Sequence, residues 1–438
     1  MEKTYDAAVI GAGLAGLIAA AKLAQAGKSV VVLEKSHRLG GRAITNLKNG
    51  SLFNLGGHAL YLGGEAYSVM KEMGVKMEGG SPPINGYGIW NNRLVPLPVE
   101  PMKLLSSKLL GWTGKIQLVR LMTALRKYDG GSLPGISLRE WTEREISDPM
   151  VRHFFYALCR TATYAADPDS QLAGPVLRQV HTSLKGVRYL HGGWQTLVDQ
   201  LRDLAVRAGA DIRTGKAAAE IIHDGSRIQG LRLADGDRLD VSHVIATSAP
   251  ADLFRLVPGA ERTVLRSWKE EARPAMTACL DLSLNRLPVE GRHFVMGLDR
   301  PVFFSHHSRV ASLSEDGKQV VHLIKYNGPG ESSPRADERI LEETMDLIHP
   351  GWRKELAGRQ FLPNITVVPD TFHTGRSSAC AGPAVPGLSG LYAAGDWAGH
   401  REMLADASAA SAVRAASAVL EALRAEQFVN GARETVAF

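Results

Sequence analysis

Gly11, Gly13 and Gly16, followed by Glu34, are the residues whose types and spacing most plainly encode chemistry. In a Gly-x-Gly-x-x-Gly turn the first glycine permits the tight bend and the second lets backbone approach a pyrophosphate. The third lets a helix pack close to a strand. Leu14 and Ala15 then open a helix whose free N–H groups and positive dipole end suit phosphate oxygens. Glu34, with Lys35 beside it, stands where an acid accepts hydrogen bonds from ribose hydroxyls and repels a 2′-phosphate. A glycine turn that merely packs accounts for the glycines but not for Glu34. Near the other end, "LYAAGDWAGH" puts Gly395 and Asp396 after a short apolar run. There follows a helix of small side chains that includes Ala405, Asp406, Ala407 and Ser408. Such a helix is trimmed so that a ligand can lie against its backbone, and Asp406 suits a capping position.

The elements that must position these residues read from periodicity. "TYDAAVI" is a strand, "LIAAAKLAQAG" a helix with a glycine stop, and "KSVVVLEKS" a second strand. "LHGGWQTLVDQLRDLAVRAGADIRTGKAAAEII" repeats the turn, helix and strand order, and "VIATSAP" adds a further apolar strand. Between these lie two excursions. One is helical, and the other contains "MTACLDLSLN", "PVFFSHHS" and "KQVVHLIKYNG", which alternate as half-buried strands do.

"HRLGGRAIT" and "LFNLGGHALY", directly after Glu34, resemble the flavoprotein superfamily of amine oxidases, protoporphyrinogen oxidases and phytoene desaturases. The middle strands resemble bacterial phytoene desaturase-related proteins. The resemblance implies an α/β fold with a discontinuous, FAD-binding Rossmann-like (GR2-type) domain over 1–80, 190–260 and 365–438. It implies an α+β substrate domain over 81–189 and 261–364, with a mixed or antiparallel sheet. It implies that Gly40, Gly41 and Arg42 meet the FAD diphosphate, that Gly56, Gly57 and His58 run near the isoalloxazine, and that Ala218 contacts the adenine. Asp396 would bond the ribitol or phosphate region, with Asp406, Ala407 and Ser408 at the flavin pyrimidine; Asp406 replaces a glycine usual in the family. Cys380 precedes Gly395 too closely to tether the ring, so the FAD is noncovalent.

For catalysis the candidates are His58, Trp397 and Lys325, with His400 and Arg401 near the flavin. Classical amine oxidases carry a lysine where this chain has Met276 and Thr277 in "PAMTACLDL". An aromatic pair to sandwich an amine is not evident, Tyr61 and Tyr392 reading equally well as core. The function implied is transfer of hydride to flavin N5 from a C–C or C–N bond of a hydrophobic small molecule. The alternatives are an amine oxidase releasing hydrogen peroxide and a non-redox FAD scaffold or cyclase-like protein.

The totals exclude other classes. At 438 residues, 45% hydrophobic and 22% charged, the chain reads as a globular protein of two domains. A net charge of +6 reads as spread along the sequence without a basic block, which argues against nucleic acid as a partner. The three cysteines show no CxxC spacing and nothing resembles a metal motif, so the thiols read as reduced and the protein as cytoplasmic. No second glycine fingerprint serves NAD(P)H. The stretch "PMKLLSSKLLGWTGKIQLVRLMTALRKYDG" is basic and amphipathic, and reads as the cover of a core or substrate tunnel before it reads as a membrane surface. The resemblance extends to a peripheral membrane habit, and a homodimer is compatible with it.

Overall fold

The apolar runs Ala7–Ile10 and Val30–Glu34 lie side by side in parallel at the centre of a five-stranded sheet. In the computed structural model, which describes residues 4–83, 85–128, 135–376 and 382–436, the sheet order is Asp211–Thr214, Val30–Glu34, Ala7–Ile10, Val244–Ala246, Leu391–Ala393. The inner strands are buried along their whole length, which is why they read as unbroken apolar runs rather than alternating ones. Ala7, Val9, Val30 and Val32 face the Leu14–Gln25 helix, flanked by the Gln195–Arg207 helix and the long Leu404–Val436 helix. Ala8, Ile10, Val31 and Leu33 face a three-stranded antiparallel sheet and the helices Pro250–Leu256 and Val264–Glu271. This sheet is therefore assembled from the beginning, the middle and the end of the sequence.

The second large sheet has seven strands in the order Leu356–Val368, Ala275–Leu284, Gln319–Asn327, Val302–His306, Phe294–Gly297, Tyr87–Trp90, Arg93–Pro96. One pair, Phe294–Gly297 with Tyr87–Trp90, is parallel and the rest are antiparallel. Its two faces are both covered, and the period of two sorts the side chains. Ala278, Leu280, Leu282, Val321 and Leu323 pack under the Pro334–Ile348 helix. Cys279, Ile324, Met296 and Phe303 face the helical layer of Trp112–Arg126, Pro149–Thr163 and Ala173–Leu184. Among the described residues no helix is long and apolar enough to cross a membrane.

Candidate active site

A cavity of about 310 Å³ runs from the end of the Val30–Glu34 strand to the face of the seven-stranded sheet. Gly11 turns at φ +98°, and a Cβ there would meet Thr247 Oγ1 at 2.4 Å. Gly16 stands behind the turn, where a Cβ would sit 1.9 Å from the Gly11 carbonyl oxygen; it governs helix–strand contact and does not line the cavity. Gly13 opens the first helix at φ −76° with no side-chain cap. Its own Cβ position is open, the nearest atom being the Gly40 carbonyl oxygen at 3.9 Å, so the free space over Leu14 and Ala15 belongs to the cavity. Gly40 and Gly41 both have positive φ and close the turn from the other side, the Gly40 N–H donating to the Ala12 carbonyl at 2.9 Å. Glu34 is buried: one carboxylate oxygen accepts from the Ala12 N–H at 2.8 Å, the other from the Ser36 N–H at 2.9 Å. Lys35 lines the same end and is exposed.

In the middle of the cavity Arg42 donates to both oxygens of Asp396, at 2.8 and 2.7 Å, and to the Val367 carbonyl at 2.7 Å. Gly395, at φ +136°, is held by Ser411 of the C-terminal helix, whose hydroxyl accepts from the Gly395 N–H at 2.9 Å and donates to its carbonyl at 3.0 Å. Ala405, Asp406 and Ser408 present the start of that helix to the cavity, whereas Ala407 faces away and packs against Gly399. Asp406 points at the next helix, Glu65–Glu72, accepting from the Ala66 N–H at 2.9 Å. A Cβ on Gly64 would lie 2.2 Å from its oxygens, so the approach requires glycine there. Burial pushes the Asp406 carboxyl up to about 7, with Glu65 and Glu402 adding to the shift and the Ala66 N–H opposing it.

The far end is aromatic and apolar. The Gly56–Gly57 turn is pressed onto the seven-stranded sheet, where a Gly56 Cβ would meet Cys279 Sγ at 2.8 Å and a Gly57 Cβ would meet Ile324 Cδ1 at 3.1 Å. His58 lies edge-on to Trp194 with ring centroids 5.0 Å apart, its Nδ1 3.2 Å from the Gly56 carbonyl oxygen. Burial holds its imidazole below the usual histidine range, so it is neutral at pH 7. Tyr61 donates to the Ala162 carbonyl at 3.0 Å and Tyr164 to the Gly57 carbonyl at 2.7 Å, which fixes both rings. Thr277, Cys279, Ile324 and Ile365 complete this wall. Among the described residues, five that are not glycine have positive φ; three are asparagines, and the other two, Tyr164 and Leu404, both line the cavity. Strain in such residues persists where the surroundings over-determine it.

Several candidates from the sequence lie elsewhere. Trp397 is core: its indole donates to the Ser248 carbonyl at 3.0 Å and its ring packs edge-on against Trp268 at 5.6 Å. Lys325 is one residue beyond Ile324, so it falls on the opposite sheet face, beneath the Pro334–Ile348 helix. There its ammonium meets Asn327 at 2.7 Å and Asp337 at 3.0 Å, neither solvated nor near the cavity. Ala218 opens a strand of the three-stranded sheet and does not line the cavity. His400 reaches the Gly382 carbonyl at 3.2 Å, Arg401 is exposed, and Tyr392 belongs to the core. Cys380 lies outside the described residues. Conversely, Tyr61 and Tyr164 supply two aromatic walls that were not evident as a pair. Thr247, Trp194, Ile324 and Ile365 were not anticipated either; each arrives through long-range packing, and only the "HGGW" turn before Gln195 carried a local sign of Trp194. Among the described residues no group of three His, Cys, Asp or Glu side chains could hold a metal ion.

The residues present fit a dinucleotide: glycines without Cβ at the turn, an uncapped helix start, a buried acid at one end and an apolar wall at the other. The model of the flavin containing amine oxidoreductase family matches residues 14–277, more than half of the chain. The chain is 25% identical over 236 residues to protoporphyrinogen oxidase 1, chloroplastic, of Arabidopsis thaliana, an alignment covering 52% of this chain and 43% of that protein. It is 27% identical over 283 residues to phytoene desaturase of Cercospora nicotianae, covering 56% and 45% respectively. The matched part thus spans less than half the length of these relatives. An oxidoreductase structure from Methanosarcina mazei superposes with a TM-score of 0.74 at 21% identity, covering 95% of this chain and 99% of that one, a likeness of fold. With strand, glycine turn, acid and family match in agreement, the chain belongs to the flavin containing amine oxidoreductase family, and FAD is its cofactor.

Proposed function

We propose that the chain is an FAD-dependent dehydrogenase or oxidase removing hydride from a C–C or C–N bond of a hydrophobic small molecule. The observation that carries this reading is the far wall of the cavity: Tyr61, Tyr164, Thr277, Cys279, Ile324 and Ile365. None of the six is ionised at pH 7, because burial pushes the two phenols and the Cys279 thiol up. When bound, FAD supplies a hydride acceptor, so the chain has no need of a strong base at this wall. Its task is to fix a C–H bond in a dry pocket, and rings locked by their own hydroxyls suit that task.

In this reading the N–H groups after Gly11 and Gly13, at Leu14 and Ala15, hold the diphosphate together with Gly40, Gly41 and Arg42. Glu34 takes the ribose, Asp396 the ribitol side, and Asp406 and Ser408 the pyrimidine end. The cofactor domain comprises 1–80, 190–260 and 365–438, supported by the strands that those segments give to the five-stranded sheet; 81–189 and 261–364 form the substrate domain. A second reading, amine oxidation, is favoured by the paired rings of Tyr61 and Tyr164. The test is anaerobic bleaching of the bound flavin by candidate substrates, followed by reoxidation with oxygen or with quinone dyes. Bleaching by apolar alkenes or saturated rings with dye-linked turnover is expected. Peroxide release confined to amines selects the second reading, and a yellow protein that no substrate class bleaches would make it a non-redox scaffold.

A further inference from the structure

Residues 99–128 hold six lysines and arginines and a single acid, Glu100, a net +5 out of the chain's +6. The segment is thus locally basic. The same segment carries exposed apolar groups. Of the eleven large hydrophobic side chains exposed among the described residues, six lie between Val99 and Val119. The Pro101–Ser106 helix buries none of its side chains. The Trp112–Arg126 helix turns Leu118 and Leu125 inward, but Trp112, Ile116 and Val119, spaced along one stripe, face outward, with Trp112 70% exposed. Lys115 joins the two helices, donating to the Leu105 carbonyl at 2.6 Å with its ammonium 5.0 Å from the Trp112 ring. The Trp112–Arg126 helix thus covers the core with Leu118 and Leu125, as the periodicity suggested, and leaves this apolar stripe outside it. Exposed apolar groups gathered on one face mark an interaction surface.

We propose that this face docks on an anionic lipid bilayer, with Met102, Leu105, Trp112, Ile116 and Val119 entering the headgroup boundary and the surrounding lysines and arginines meeting lipid phosphates. Tryptophan and long basic side chains are the residues that straddle such a boundary. A net +5 on this segment opposes a second copy of the same surface and complements a negative membrane. A hollow of about 890 Å³ flanks the same helix, lined in part by Ile116, Leu121, Leu125, Tyr128 and Trp141, so apolar space adjoins the docking face. The proposal is independent of which bond the flavin site oxidises.

The test uses the full FAD-loaded chain and sedimentation with vesicles of phosphatidylcholine alone or mixed with phosphatidylglycerol. Binding to the mixed vesicles only, weakening with salt, is expected. Lys108→Gln and Arg120→Gln should each weaken it about fivefold at low salt. Trp112→Ser with Ile116→Ser should abolish it while leaving the melting temperature and flavin spectrum unchanged, since both side chains are exposed. Equal binding to neutral vesicles, or none to either, overturns the proposal. So does a lipid-free dimer that the Trp112→Ser, Ile116→Ser variant dissociates, which would assign the face to a second copy.

Discussion

Arg42 and Asp396, 354 residues apart in the sequence, close a two-pronged ion pair across the middle of the cavity. Asp396 is almost wholly buried while the Arg42 side chain is nearly half exposed, at 45%. The pair ties the early glycine turn to the last strand of the five-stranded sheet. Arg42→Ala leaves a buried carboxylate without its cation. After discounting for the exposed partner, the loss of stability should be about 1–2 kcal/mol in chemical denaturation. FAD retention on desalting should fall as well. Arg42→Lys, which keeps the charge and loses the fork, should be intermediate. Unchanged stability and retention in the alanine variant would remove the pair from both roles.

Gly13 and Gly16 separate cofactor binding from folding. At Gly13 an added methyl points into open space at an ordinary φ, whereas at Gly16 it strikes the Gly11 carbonyl. Gly13→Ala should fold with an unaltered apoprotein melting temperature yet bind FAD at least tenfold more weakly. Gly16→Ala should lower the melting temperature itself. The two effects exchanged between the variants would contradict this assignment of roles.

Lys325 is a structural cation. Lys325→Met strands Asp337, whose side chain is 3% exposed, and should cost about 3–5 kcal/mol in a urea titration. Replacing Asp337 by Leu in the same variant should recover much of that loss. Turnover per folded, flavin-loaded molecule should not change in the double variant; a large fall there, with stability intact, would return Lys325 to the catalytic group.

Asp406 makes stability depend on pH. Its folded carboxyl titrates near 7, above the ordinary 3.8, so the native state holds a proton that the unfolded chain releases. The contribution is complete below pH 4 and is lost as pH rises through 7. Asp406→Asn keeps an acceptor for the Ala66 N–H and has nothing to titrate. Relative to the parent it should gain roughly 2–4 kcal/mol between pH 4 and pH 8. Parallel stability curves for the two proteins across that range would show that the Asp406 carboxyl titrates in the folded state as it does in the unfolded chain.

The legible parts of this chain are those set by neighbours in sequence. Gly11, Gly13, Gly16 and Glu34 sit in one strand–turn–helix–strand unit, where steric freedom and periodicity act over a few residues. Gly395 and Asp396 were readable for the same reason, as an apolar strand giving way to a helix of small side chains. The substrate wall was not. Thr277, Ile324 and Ile365 come from three strands, and which face each one presents depends on a register that single strands do not reveal. Lys325 shows the cost: one step along the strand carries it from the cavity to the far side of the sheet. Trp397, adjacent to Asp396, was drawn to the site by proximity in sequence, but its indole finds a carbonyl and a second tryptophan in the core. Tyr61 and Tyr164 became a pair only through hydrogen bonds spanning 101 and 107 residues.

The five-stranded sheet also sets a schedule for synthesis. The Ala7–Ile10 and Val30–Glu34 strands leave the ribosome more than 350 residues before their outer companion Leu391–Ala393 and the Leu404–Val436 helix that covers Leu14–Gln25. At about 5–20 residues per second, the first helix waits roughly 20–75 s for its cover. During that interval a nascent chain exposes one apolar flank of its nucleotide turn and lacks Asp396 altogether. A complete flavin site therefore requires the arrival of Asp396 and of the Leu404–Val436 helix, so closure of the sheet and completion of the cofactor cavity are one event.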